Sequence, residues 1–260
     1  MKKMIALLLA VLVVAGMTAC GAKTSDSDMA YVKEKGKLVV GITDFAPMDY
    51  QEDGQWVGFD ADMAKAFAES LGVACEFVEI NWDTKANELD SKSIDVVWNG
   101  MTLTDEVKNT MQTSNAYCNN AQVVVVKADV ADQFTTAEAC KSLKFAVESG
   151  SAGEEAVAAQ GFSYIPVTTQ ADALMEVSAG TSDACVIDLL MAGAMIGAGT
   201  SYENLTYTVE LTTEEYGVGF RKGSDLAAAL NEFFAKTYQD GSMLTIAQKY
   251  GVQESLVEQK

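Results

Sequence analysis

Apolar and polar positions along this 260-residue chain fall into two interleaved patterns. Short apolar runs at 38–42, 75–80, 94–98, 123–126, 145–147 and 184–187 have the length and β-branched content of buried strands. Between the first two, Phe59, Met63, Ala66 and Phe67 recur at helical spacing, and Gly72 is placed to end that helix in a left-handed cap. Further helices are predicted at about 154–159, 171–179, 189–196 and 225–238, the last carrying Leu226, Leu230, Phe233 and Phe234 on one stripe. Residues 207–211 and 217–220 read as two more strands. Short strands alternating with helices predict an α/β fold with mostly parallel sheets.

The N-terminus follows neither pattern. Lys2 and Lys3 precede an apolar run over 5–15, and Met17-Thr18-Ala19-Cys20 follows. This reads as a secretory leader, since the run falls short of the ~20 residues that span a bilayer. The segment resembles a bacterial lipobox, with Met17 where leucine is usual. That resemblance implies a lipid on Cys20, which becomes the first residue of the mature protein. Residues 21–30 then read as a flexible tether, small and polar over most of their length.

Composition narrows the chemistry. With 37 acidic against 18 basic side chains the formal charge is −19, which repels nucleic acid and anionic lipid. There is no histidine, so histidine-based triads and histidine-bearing metal sites are excluded. Beyond Cys20 stand Cys75, Cys118, Cys140 and Cys185, in no metal-binding spacing. Cys75 and Cys185 sit inside strand patterns, where a thiol serves as a small hydrophobe. Free buried thiols are expected, with two disulfides the open alternative. Neither cofactor nor metal is expected.

Several segments in order carry a resemblance: Leu38-Val39-Val40-Gly41; Phe45-Ala46-Pro47-Met48-Asp49-Tyr50; Gly58-Phe59-Asp60-Ala61-Asp62; Asn81-Trp82-Asp83; Asp95-Val96-Val97-Trp98-Asn99-Gly100-Met101-Thr102; Val147-Glu148-Ser149-Gly150-Ser151; Ser182-Asp183-Ala184-Cys185-Val186-Ile187-Asp188; and Tyr216-Gly217-Val218-Gly219-Phe220. Together, over about 31–251, they resemble the polar amino acid substrate-binding proteins of ABC importers, the family 3 extracellular solute-binding lipoproteins. The resemblance implies a two-lobe, type II periplasmic-binding-protein-like fold. Lobe one takes 31–117 plus 217–260 and lobe two 122–211, with hinges at about 117–121 and 212–216. Ligand, an amino acid or related amine, binds between lobes that close on it. The implied protein is a monomer and not an enzyme. It stands outside the cytoplasm on a membrane anchor at Cys20 and serves a permease and its ATPase subunit.

Carried over residue by residue, the resemblance makes Phe45 and Trp82 aromatic walls on either side of the ligand. Gly100, Met101 and Thr102 offer backbone groups and a hydroxyl. Ser151 and Ala152 open a helix whose first amides suit a carboxylate. Asp188 takes an ammonium group, its simpler reading being a helix N-cap. Asp44 lies beside Phe45, and Asn99 is expected to point into the cleft. One departure stands out. Val107 occupies the place of the family's carboxylate-binding arginine, and Arg221 is the chain's only arginine. A charge-assisted contact of about 1.5–3 kcal/mol is therefore missing. Three substitutes stay open: Lys108, the backbone donors near Thr102 and Ser151, or a ligand without an α-carboxylate. Two other functional classes remain open alongside this one. A dehydratase on the same fold would need acid–base work from Asp44, Glu148, Asp188 or Lys108. A sensor ectodomain would need a separate membrane partner.

Overall fold

The computed structural model describes residues 27–260, so the leader, Cys20 and the tether as far as residue 26 lie outside the described residues. The strands among the described residues are β1 (Lys37–Ile42), β2 (Tyr50–Glu52), β3 (Gln55–Val57), β4 (Ala74–Glu79), β5 (Val96–Thr102), β6 (Gln112–Thr113), β7 (Cys118–Lys127), β8 (Lys144–Glu148), β9 (Ser163–Val167), β10 (Ala184–Asp188) and β11 (Leu205–Phe220). The helices are α1 (Asp28–Lys35), α2 (Phe59–Leu71), α3 (Lys85–Asp90), α4 (Asp105–Thr110), α5 (Ala137–Cys140), α6 (Ala152–Gln160), α7 (Gln170–Ala179), α8 (Leu189–Met195), α9 (Leu226–Gln239) and α10 (Ser242–Tyr250). No helix among them is long and apolar enough to cross a membrane.

One sheet runs through the molecule in the order β4-β1-β5-β11-β7-β10-β8-β9, with β6 added on β11. In the first half β1 pairs in parallel with β4 and β5; in the second β8 pairs in parallel with β10 and β9. Each half is thus built around its own first strand. The antiparallel pair β7–β11 joins them, in register from Leu205 opposite Lys127 to Tyr216 opposite Cys118. β11 then continues along β5 in the first half.

The core follows the sequence pattern. α2 turns Phe59, Met63, Ala64 and Phe67 inward, where they meet Leu38, Val40, Ile42 and Trp98. Each such side chain contributes about 1.5–3 kcal/mol by leaving water. Gly72 ends the helix at φ 76°, as its position predicts. The second half has a core of its own, in which Val124, Val126, Val147 and Val186 surround the stacked rings of Phe145 and Phe162, 4.7 Å apart. A third cluster gathers Trp82, Ile94, Val97, Met101, Val107 and Met111. Cys75, Cys118, Cys140 and Cys185 are all free, and burial pushes the Cys75 thiol up to about 12, so it is inert at neutral pH.

Two sequence expectations are corrected, and one strand is added. Residues 207–211 and 217–220 belong to one 16-residue strand, because the polar stretch between them pairs with Asn119–Gln122. Register shifts near Tyr207 and Glu210 let the long strand bend. The tether stops short of residue 30, because Ser27 caps α1 and both Ser27 and the Met29 amide bond Asp225. β9 went unread because Pro166 interrupts it, which an edge strand tolerates.

Candidate functional site

The carboxyl ends of β1, β5 and β8 point toward one place between the two halves. Ligands of open parallel α/β sheets bind at such strand ends. A cavity lies there, lined from the first half by Thr43, Phe45, Trp82, Lys85, Asn99 to Thr102, Thr104, Glu106 and Val107. Gln122, Glu148, Gly150, Ala152, Glu155 and Gln170 close it from the other side.

The Phe45 wall is held from behind. The Phe45 amide donates to the Asp49 carbonyl at 2.6 Å, folding 45–49 into a tight loop. Asn99 locks that loop in place: its Oδ1 accepts from the Thr43 amide and hydroxyl, and its Nδ2 donates to Asp49 at 2.8 Å. Gly100 sits at φ 54°, and a Cβ there would come within 2.4 Å of the Phe45 ring. Only glycine lets ring and strand meet so closely. Behind it the Gly100 amide and the Tyr117 hydroxyl both donate to Asp60. Asp49 and Asp60 are fully buried, and burial raises both carboxyls, with Asp60 raising Asp49 further.

Trp82 also lines the cavity, packed on Met101 and Val107. Val107 therefore fills the expected arginine's place with apolar packing. The cation comes from elsewhere. Lys85 lies one turn after Trp82, with its ammonium 4.9 Å from the indole centroid. It donates to the Gly150 carbonyl of the second half at 2.9 Å. Burial lowers its pKa, opposed by Glu106 and Glu148. Lys108 is exposed and lines an outer groove instead. Gly150, at φ 72°, comes so close to Asp83 that a Cβ would lie 2.8 Å from its Cα. The halves thus touch at Lys85 and Asp83.

In the second half, Ser151 caps α6 by accepting from the Glu154 amide at 3.1 Å, and Glu154 returns a carboxylate oxygen to the Gly150 amide. The first amides of α6 have no intrahelical acceptors and start at the cavity, where Ala152 lines it. Glu148 ends β8 on the side of the strand that Ala146 shares, toward α7 and Gln170. It is 2% exposed. Burial, then neighbouring Asp188, raises its carboxyl to about 8, and Lys85 and a hydrogen bond from Gln170 oppose this.

Asp188 lies behind the wall. Its carboxylate accepts from Asn120, Gln122, Gln170 and Tyr216, the last at 2.6 Å. Asn120 and Gln122 also donate to Glu214, which takes the Thr102 hydroxyl at 2.8 Å. Two carboxylates thus tie together β5, β7, β10, β11 and α7 where the halves join. Burial raises Asp188, with Glu214 adding to it.

Of the expected site residues, Phe45, Trp82, Asn99, Gly100, Met101, Thr102 and Ala152 line the cavity together. Ser151 stands just outside as a helix cap, Asp188 lies behind, and Asp44 is exposed beyond the lining. Asn99 lines the cavity, but its amide oxygen and nitrogen are both engaged with Thr43 and Asp49, where they anchor that loop. Sequence reasoning missed Lys85, Gln122, Glu155 and Gln170 as lining residues, and weighed Glu148 only as an acid for an enzyme. Lys85 was findable at three residues from Trp82 on one helical face. Glu148 was findable as a charge completing the buried strand Phe145-Ala146-Val147.

A sequence model of the bacterial extracellular solute-binding proteins, family 3, matches residues 38–253. The arginine-binding extracellular protein ArtP of Bacillus subtilis is 28% identical over 257 residues, which covers 96% of this chain and 98% of ArtP. The L-cystine-binding protein TcyJ of Escherichia coli is 31% identical over 249 residues, 93% of this chain and 92% of TcyJ. An ABC uptake transporter substrate-binding protein from Streptococcus pneumoniae, solved with bound histidine, superposes with a TM-score of 0.81 at 29% identity. That match covers 90% of this chain and all of the other.

Proposed function

This chain belongs to the bacterial extracellular solute-binding proteins of family 3, and from that premise we propose that its cleft captures a polar amino acid or a related small amine for an ABC importer. The observation that carries this reading is the cavity itself, lined from both halves of the sheet and walled by Phe45 and Trp82. The proposed lobes are 31–117 with 217–260, and 122–211. The proposed bending points are 117–121 and 212–216, where Glu214 and Asp188 gather the side chains of the joining strands. Ligand selects the closed arrangement because it touches both halves at once.

In this reading the aromatic rings sandwich the ligand's stem. A ligand carboxylate meets the first amides of α6 at Ala152, with Lys85 supplying the positive charge that the absent arginine would give. The Thr102 hydroxyl, already donating to Glu214, offers its lone pairs. Asn99 and Gly100 act through Phe45, which they hold. The protein is proposed to act as a monomer outside the cytoplasm, anchored by a lipid on Cys20, and to deliver its cargo to a permease with a cytoplasmic ATPase. A thermal-shift screen of free amino acids, L-cystine and simple amines tests this, since a ligand of the native state raises the midpoint by mass action. A raised midpoint with one or a few of them is expected. A flat response across the panel, or turnover of a bound compound, counts against it.

A further inference from the structure

Among the residues around the cavity, Glu148 alone has a buried side-chain oxygen with no hydrogen-bond partner among the described residues: its Oε1 is bare. A carboxylate oxygen out of water with no donor is costly, and proteins resolve the cost with a proton or a cation. Among the described residues Lys85 is the lining cation, and it makes no hydrogen bond to Glu148. Lys85 spends its ammonium on the carbonyls of Gly150 and Trp82 and on the indole face. Asp188, at the end of the adjacent strand, already has four donors. The wall also holds Glu106 and Glu155, so three carboxylates face one lysine.

We propose that Glu148 is the acceptor for the ligand's ammonium group, and that it selects small ammonium-bearing molecules over neutral or purely anionic solutes. This rests on the proposed function and names the chemistry of its second pole. The raised Glu148 carboxyl, near 8, supports it. At pH 7 a carboxyl raised that far is mostly protonated in the empty site. The ligand's ammonium displaces that proton to solvent and leaves an ion pair, so one proton is released for each ion pair formed. The charged and titratable groups facing Glu148 are Lys85 from α3, Asp188 from β10, Asp172 of α7, Glu155 of α6 and Glu106 of α4. Lys85 favours release; the others oppose it.

Calorimetric titration of the purified protein tests the inference with the protein amino acids, L-cystine, putrescine, succinate and glucose. Each is run at pH 7 in two buffers of different ionisation enthalpy. The expected ligand carries an ammonium group and releases about one proton, and Glu148→Gln weakens it by about 30-fold or more and abolishes the release. Equal affinity and equal proton count in Glu148→Gln overturn the inference while leaving the proposed function standing. Should Glu148→Gln fail to fold, the wild-type count decides, and zero release overturns it. A best ligand that is succinate or glucose, or no ligand at all in this panel, overturns both.

Discussion

The ends of β8 and β10 lie side by side, and each carries a buried carboxylate whose pKa burial raises. They differ in what surrounds them. Asp188 has hydrogen-bond donors from two connecting strands and α7, whereas Glu148 has a bare oxygen at the cavity. A buried acid with every lone pair engaged holds elements together. One left short of donors where it lines a cavity is open to a ligand. Burial and position at a strand end do not separate the two roles; the count of donors does.

The strongest break of this comparison is Asp188→Ala. It strands four donors that converge on one point, at about 1–3 kcal/mol for each left unsatisfied. Urea unfolding is expected to show a loss of about 4 kcal/mol or more, with Glu148→Gln within about 1 kcal/mol of wild type. Equal losses in both would mean that both acids are structural. Titration of stability comes next. Glu148, Asp188, Asp49 and Asp60 all have folded-state pKa values above their ordinary ones. The folded protein then holds more protons than the unfolded chain between about pH 4 and 8, so stability falls as pH rises through that window. A decrease of a few kcal/mol from pH 5 to pH 8 is expected, read as a falling midpoint of thermal unfolding. A midpoint that rises over that range contradicts the buried protonated acids.

Gly100→Ala sharpens the contrast from the other wall. The new Cβ meets the Phe45 ring, and φ 54° adds backbone strain. A loss of about 1–3 kcal/mol in stability is expected, together with weaker ligand binding by calorimetry. Lys85→Met is the smallest. Removing an ammonium shared between two carbonyls and a ring is expected to weaken a carboxylate-bearing ligand by about tenfold and leave a carboxylate-free amine nearly untouched. Equal weakening of both would assign Lys85 to holding the halves together.

Much of the fold was legible because its signals are local. The four valines of β7, the Phe59–Met63–Phe67 stripe of α2 and the cap at Gly72 each depend on neighbours in sequence. The continuity of β11 was not legible, because Thr212 to Glu215 are strand residues only by virtue of the partner strand beside them. Phe45, Trp82 and the Gly100–Thr102 strand end were named through the resemblance to a known family, whose motif they match in order along the chain.

The sequence by itself determined the α/β alternation and the absence of histidine chemistry, and its family resemblance marked the expected aromatic walls and Val107 in the arginine's place. Only the tertiary structure decided which charges face the ligand. Lys85 and Glu148 are 63 positions apart in the chain and share a cavity only because the two halves meet there. Asn120, Gln122, Gln170 and Tyr216 take Asp188 out of that cavity for the same reason. A carboxylate's role is set by the donors within reach, and those come from segments that only folding brings together.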